Sequence, residues 1–192
     1  MKRAIIVHCW DGYPEYCWYP ATKKQLEQTG FTVTVPAFPD SAKPDLANWL
    51  DKLKSVIVKP DENLFLIGHS VGCITILRYL ESLDPGVKIG GTVLVAGFTD
   101  DLGYKELKNF FETPIDFEKI KNHCQKFVAI HSDNDQYVDL KHAEIFKTKL
   151  KAQVVIKNNA GHFSGAADDE AACLELLIVT DSVLSIINDQ KR

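Results

Sequence analysis

A serine hydroxyl is a weak nucleophile near neutral pH. A chain that uses one must supply a base to take its proton and an acid to orient that base. The residues around Ser70 have the form such use requires. They read Leu64-Phe65-Leu66-Ile67-Gly68-His69-Ser70-Val71-Gly72-Cys73-Ile74, an apolar stretch, then Gly-x-Ser-x-Gly, then a helical pattern. A strand that turns sharply into a helix brings the backbone on either side of the serine close together. A Cβ at Gly68 or Gly72 would clash there. The same turn holds Ser70 in a strained conformation, with its hydroxyl exposed at the carboxyl edge of a sheet. The following helix aims its N-terminus at that spot, so the Val71 amide is expected to donate to an oxyanion. A phosphate loop is excluded, because the chain has neither a Walker-type Gly-Lys-Ser/Thr nor a GxGxxG.

The base must be a histidine, and chain order restricts the choice. Where a serine sits on such an elbow, the order is Ser, then Asp or Glu, then His. Of His8, His69, His123, His131, His142 and His162, only the last four follow the serine. His162 lies in Asn158-Asn159-Ala160-Gly161-His162-Phe163, a loop between the last expected strand and the last helix. Such a loop overhangs the sheet edge that carries Ser70. His123 and His142 read as helical surface, and His131 as a packed strand end. The acid should come from the preceding loop, Ser132-Asp133-Asn134-Asp135-Gln136-Tyr137-Val138. Asp133 and Asp135 both qualify. The pattern Asp-x-x-Val favours Asp135 and leaves Asp133 a turn or cap role. A calcium loop fits worse, since the glycine it needs at its sixth position would fall on Val138.

A second oxyanion donor is expected after the first strand, in His8-Cys9-Trp10-Asp11-Gly12. The Trp10 amide is the first candidate and that of Cys9 the second. His8 and Asp11 are read as a loop brace and a turn cap rather than a second catalytic pair. A thiol enzyme using Cys73 or Cys9 is a weaker reading, because Cys73 faces into a helix and Cys9 has no evident base.

Six short runs rich in Val, Ile and Phe must form the frame: Ala4–His8, Phe31–Val35, Asn63–Ile67, Thr92–Ala96, Phe127–His131 and Val154–Lys157. Most are continuously apolar, as suits strands covered on both faces. Segments of helical length lie between them. Gly30 follows the first as a C-terminal glycine would. Asp45–Val58 carries Leu46, Trp49, Leu50, Leu53, Ile57 and Val58 at near-helical spacing. A third helix opens at Ser70. The last is expected from about Asp168 to Asn188, with an acidic start that complements the helix dipole. This alternation predicts an α/β fold: three layers, a mostly parallel sheet of about six strands, and no large cap. The aromatic segment Gly97–His123 breaks the rhythm, and reads equally as packing under a crossover or as a small lid.

Composition sets outer bounds. The chain has 192 residues, 45% hydrophobic and 25% charged, with Lys+Arg 22 against Asp+Glu 26 and a net charge of −4. That length suits one domain, residues 1–192, burying roughly 70% of the surface of its unfolded chain. The balance offers no basic footprint for nucleic acid and no attraction to an anionic membrane. The apolar run after Met1-Lys2-Arg3 stops at His8, short of the ~7–15 residues of a signal-peptide core. No stretch approaches the ~18 apolar residues of a membrane span. Five cysteines without CxxC spacing suggest neither zinc nor a disulfide framework, and fit a reducing cytoplasm.

With these residues in place, the chain resembles the small serine hydrolases related to the retinoblastoma-binding hydrolase and its bacterial counterparts. The resemblance runs through His8-Cys9-Trp10-Asp11-Gly12, Trp18-Tyr19-Pro20, Pro36-Ala37-Phe38-Pro39-Asp40, Gly68-His69-Ser70-Val71-Gly72, Val93-Leu94-Val95-Ala96, Asp133-Asn134-Asp135 and Ala160-Gly161-His162-Phe163. It implies a minimal α/β-hydrolase sheet and a triad on Ser70, Asp135 and His162. Two positions depart from the family pattern. Cys9 stands where the bacterial relatives usually carry glycine, and adds strain if that position needs positive φ. Asp139 stands where many hydrolases have proline, which affects only a helix start. The LxCxE binding motif associated with the family's name is not supported. Its nearest match, Ala171-Ala172-Cys173-Leu174-Glu175, lacks the leucine.

The expected activity is cleavage of a small ester, or with less support an amide, through an acyl-enzyme on Ser70 without metal or organic cofactor. The expected partner is a small molecule. The alternative is a catalytically silent binding module on the same scaffold, since fold alone does not prove activity.

Overall fold

A computed structural model describes residues 1–164 and 176–190. Six parallel strands form one sheet: β1 (Arg3–Val7), β2 (Thr32–Thr34), β3 (Leu64–His69), β4 (Gly91–Val95), β5 (Phe127–Ser132) and β6 (Gln153–Lys157), in the order β2-β1-β3-β4-β5-β6. The helices are α1 (Tyr19–Gln28), α2 (Leu46–Val56), α3 (Val71–Glu81), α4 (Phe117–Asn122), α5 (Lys141–Leu150) and α6 (Leu177–Gln190), with a 3-10 turn at Lys105–Phe110. The strands lie within one or two residues of the apolar runs. The expected start of the last helix, from Asp168 through Cys173 and Leu174, and the segment Ala171–Glu175, lie outside the described residues.

The alternation of side chains along each strand divides the core in two. Ile5, Val7, Leu64, Leu66, Leu94 and Ala129 face one side, where α2, α3 and α5 bring Trp49, Leu53, Ile74, Leu77, Phe146 and Leu150. Ala4, Ile6, Phe65, Ile67, Val93, Val128 and Ile130 face the other, where α1 and α6 bring Tyr19, Leu26, Val179, Val183 and Ile187. The central strands β3, β4 and β5 are buried along their whole length. The edge strands differ from the expectation of double coverage. β2 alternates exposed and buried, and no residue of β6 is fully buried.

Local chemistry sets the helix starts. Asp45 caps α2 by accepting from the Asn48 amide at 3.0 Å. Pro20 occupies the first turn of α1, where its missing N–H costs nothing.

Two histidines correct the sequence reading. His123 and His142 are buried rather than on a helix surface. The His123 Nδ1 donates to Val87 O at 2.7 Å. The His142 Nδ1 accepts from the Thr99 amide and hydroxyl at 3.2 and 2.9 Å. Distant loops supply these partners, which helical spacing does not reveal. His131 is packed, its ring stacked on Phe146.

The segment Gly97–His123 packs into the core, as the first reading expects, and also contributes to a cavity wall. Phe98, Leu107 and Phe110 are buried in the core, while Leu102 and Tyr104 join Phe98 and Leu107 in walling a cavity. Arg78, buried on α3, fastens the segment by donating to Phe110 O at 2.9 Å.

Candidate active site

Ser70 joins β3 to α3 with φ 54° and ψ −119°. A residue with a Cβ holds positive φ only where its surroundings force it. Two close approaches do so here. A Cβ on Gly68 would lie 2.8 Å from the Cys73 backbone, and one on Gly72 would lie 2.2 Å from Val7 O. Both arms of the elbow are therefore pressed against neighbouring backbone. The Ser70 amide donates to Val95 O at 2.9 Å and the Ser70 carbonyl accepts from Cys73 at 2.9 Å. The hydroxyl is left facing the cavity.

The structure brings Ser70, His162 and Asp135 into one line. His162 Nε2 lies 2.9 Å from Ser70 Oγ, and His162 Nδ1 lies 2.8 Å from Asp135 Oδ2. Asp135 Oδ1 accepts from the Tyr137 and Val138 amides at 2.9 and 3.1 Å. With Nδ1–H given to the carboxylate, Nε2 is the acceptor and the serine hydroxyl donates to it. Burial alone would raise the Asp135 carboxyl. The hydrogen bond and charge of His162, with the two amides, outweigh burial and hold it below the ordinary carboxylate value.

Asp133 has a different task. Its Oδ1 accepts from the Asn159 amide at 2.8 Å, at the root of the His162 loop. Two further residues, missed in the sequence reading, hold the same loop. Ser132 Oγ accepts from Ala160 N at 2.9 Å, and Asn134 Oδ1 accepts from Gly161 N at 2.8 Å. The run Ser132-Asp133-Asn134 of short polar side chains is the signal that could have found them. Tyr137 was also missed. Its ring stands edge-on to that of His162, with centroids 5.1 Å apart.

Val71 heads α3, and Trp10 follows β1. Neither amide has a protein acceptor among the described residues, and both residues line the cavity beside Ser70. The Cys9 amide is already donated to the Tyr19 hydroxyl at 3.1 Å. Cys9 does not adopt positive φ; the strained neighbour is Asp11, with φ 56°. His8 braces the loop, donating from Nδ1 to Cys9 O at 2.8 Å and accepting at Nε2 from the Phe38 amide at 3.0 Å. Cys73 is fully buried, and burial pushes its thiol well up, which removes the thiolate that nucleophilic chemistry needs.

The cavity measures about 310 Å³, and its wall is mainly apolar: Trp10, Phe98, Leu102, Tyr104, Leu107 and Tyr137 surround Ser70 and His162. Among the described residues no group of His, Cys, Asp and Glu is placed to hold a metal ion. Nor, among them, is any helix long and apolar enough to cross a membrane.

Comparison with known proteins agrees with this fold. The hydrolase YdeN of Bacillus subtilis is 30% identical over 192 residues, spanning 100% of this chain and 99% of its own length. The serine hydrolase RBBP9 of Rattus norvegicus is 30% identical over 149 residues, 76% of this chain and 77% of its own. The crystal structure of the B. subtilis ydeN gene product superposes with a TM-score of 0.91, covering 98% of this chain and 100% of that one. Est1E from Butyrivibrio proteoclasticus, 15% identical, shares the fold with a TM-score of 0.71 over 97% of this chain and 88% of its own. Residues 4–171 match the serine hydrolase family itself, and the chain belongs to that family.

Proposed function

We propose that this protein hydrolyses a small carboxylic ester through an acyl-enzyme on Ser70. The observation that carries this reading is the unbroken line from Asp135 through His162 to Ser70, ending on a serine held at positive φ. In the first half of the reaction His162 Nε2 takes the hydroxyl proton as Ser70 Oγ attacks the carbonyl carbon. The carbonyl π bond becomes an oxyanion, which the Val71 and Trp10 amides stabilise. The oxyanion re-forms the carbonyl as the C–O bond to the alcohol breaks, and His162 returns the proton to the departing oxygen. Water then repeats the sequence on the acyl-serine, releasing the acid and restoring Ser70. Asp135 keeps the proton of the resting imidazole on Nδ1 and favours the imidazolium as it forms.

An ester is preferred to an amide because its alcohol leaves with less help from the imidazolium. The walls of the cavity suit an apolar acyl or alcohol part. A cavity of about 310 Å³ favours a small molecule over a polymer. We further take residues 1–192 as one domain working in a reducing compartment such as the cytoplasm, where the buried thiols of Cys73 and Cys124 persist.

The direct test is labelling by a fluorophosphonate probe. The wild-type protein should react, and Ser70→Ala should abolish the adduct. Labelling that persists in Ser70→Ala, or a wild-type protein that never reacts, would sink this reading. The second result would leave a silent binding module. A panel of esters of graded acyl length would then define the substrate.

A further inference from the structure

The His162 loop has a distance to cover. It leaves β6 at one edge of the sheet, yet its imidazole must stand over Ser70 at the end of β3. Three strand spacings separate them, about 14 Å. The loop carrying the Trp10 amide leaves β1, on the other side of β3. These two loops are far apart in sequence, and a buried line of hydrogen bonds joins them.

The line runs from Cys9 to His162. The Cys9 amide lies 3.1 Å from the Tyr19 hydroxyl, that hydroxyl lies 2.7 Å from His69 Nδ1, and His69 Nε2 lies 2.8 Å from the His162 main-chain oxygen. The last contact fixes every direction. A carbonyl oxygen can only accept, so the His69 proton is on Nε2. Its Nδ1 must then accept, so Tyr19 donates its hydroxyl proton there, and the phenol oxygen accepts from Cys9. Tyr19 and His69 are both fully buried. Burial, and after it the nearby charge of His162, hold His69 down at about 3, and burial holds the Tyr19 phenol well above its ordinary value. The line is therefore neutral at working pH. Trp18 packs against both rings, at 4.7 Å from Tyr19 and 5.6 Å from His69, and donates Nε1 to Phe163 O at 3.2 Å.

We propose that Tyr19 and His69 are positioning residues that set the separation between the Trp10 amide loop and the His162 loop, so that oxyanion donor and base converge on Ser70. The proposal rests on the hydrolase reading above. It assigns work to two features that reading leaves unused, the Trp18-Tyr19-Pro20 motif and the histidine of the elbow. Neither side chain touches the reacting atoms. Their effect is on where the groups that do so are held, and an error of about 1 Å in such placement costs about 10²-fold in rate.

Tyr19→Phe tests this by removing the one oxygen that joins both halves of the line. Its kcat on an ester is expected to fall about 10²-fold, with KM within about twofold of wild type. Its fluorophosphonate labelling should become slower without being lost. A merely structural loss would lower stability without separating kcat from KM in this way. Nitrogen NMR of the wild-type protein should show His69 protonated on Nε2 and bare on Nδ1, with the Nδ1 resonance displaced in Tyr19→Phe. A folded Tyr19→Phe with kcat within about twofold of wild type overturns the proposal and leaves the hydrolase reading intact. So does a wild-type His69 protonated on Nδ1, a result that decides the matter even if Tyr19→Phe does not fold. Wild-type protein that the probe never labels overturns the hydrolase reading and the proposal with it.

Discussion

His162 Nδ1 meets Asp135 Oδ2 at 2.8 Å, while the neighbouring carboxylate of Asp133 is spent on the Asn159 amide. Two aspartates in one loop thus divide the work: one orients the ring and the other holds the loop that carries it. Asp135→Asn should lower kcat by up to about 10⁴, the cost of losing the orienting acid in other triads. Asp133→Asn keeps an acceptor oxygen for Asn159 and should cost less than about tenfold. Steady-state ester hydrolysis by the two variants checks this, and the reverse ranking would move the acid to Asp133.

Gly72→Ala tests the elbow. The new Cβ would press to 2.2 Å from Val7 O and 2.8 Å from His8 O, both backbone atoms. To fit, α3 must move away from β1. A loss of about 1–3 kcal/mol in urea denaturation is expected. Because the shift separates Val71 from Trp10, kcat should fall with it. A variant as stable and active as wild type would show that the close approach is not required.

Tyr104→Ala tests the wall of the cavity. The Tyr104 ring stands edge-on to Trp10 at 5.9 Å and is 41% exposed, so its removal opens the site without emptying the core. The aromatic pair is worth about 1 kcal/mol. The ester-length optimum should move to longer chains, and kcat/KM for the shortest ester should fall several-fold. An unchanged profile across the panel would exclude this wall from selectivity.

Acid sensitivity follows from the buried histidines. Burial holds His69 at about 3 and His131 at about 4, below the ordinary value of 6.5. As pH falls through 6.5 the unfolded chain takes up a proton at each, and the folded chain does so only near 4 and 3. The stability of the neutral buried forms is therefore fully present above the unfolded value and is lost on the way down. At pH 5 each residue costs ~2 kcal/mol. The lowered Asp135 adds a loss at still lower pH, since its contribution is present above 3.8 and disappears as pH falls through its folded value. Urea titrations at pH 7 and pH 5 should differ by about 4 kcal/mol. A difference below about 1 kcal/mol would mean that these rings are not buried in neutral form.

The parts of this molecule that can be read from sequence are those fixed by local rules. The runs of Val and Ile mark the strands because a doubly covered strand has no polar face to show. Ser70 is legible because the elbow needs two glycines at fixed offsets, and His162 because chain order and loop position leave little choice. What escapes is set by partners remote in sequence. His123 and His142 sit among lysines and glutamates, so their segments read as surface. Yet Val87 O and the Thr99 amide and hydroxyl draw the rings inward. Tyr19 meets His69 across 50 positions, and nothing in either neighbourhood announces the other. The double role of Gly97–His123 depends on Arg78 reaching from α3 to a carbonyl 32 residues ahead.

The order of the strands has a consequence for assembly. The strained serine joins β3 to α3 at the centre of the sheet, braced by Val7 of β1 and Val95 of β4. The base comes 92 positions later, on a loop beyond the outermost strand, and that strand has a place to dock only once β4 and β5 are laid down. On the proposed reading, a chain in which that strand has not docked would have no base beside Ser70. The interval before it is armed is governed by closing a long stretch of chain, which is slow compared with forming a turn. Turnover then appears as the last event of refolding, and its recovery after denaturation serves as a clock for the docking of the final strand.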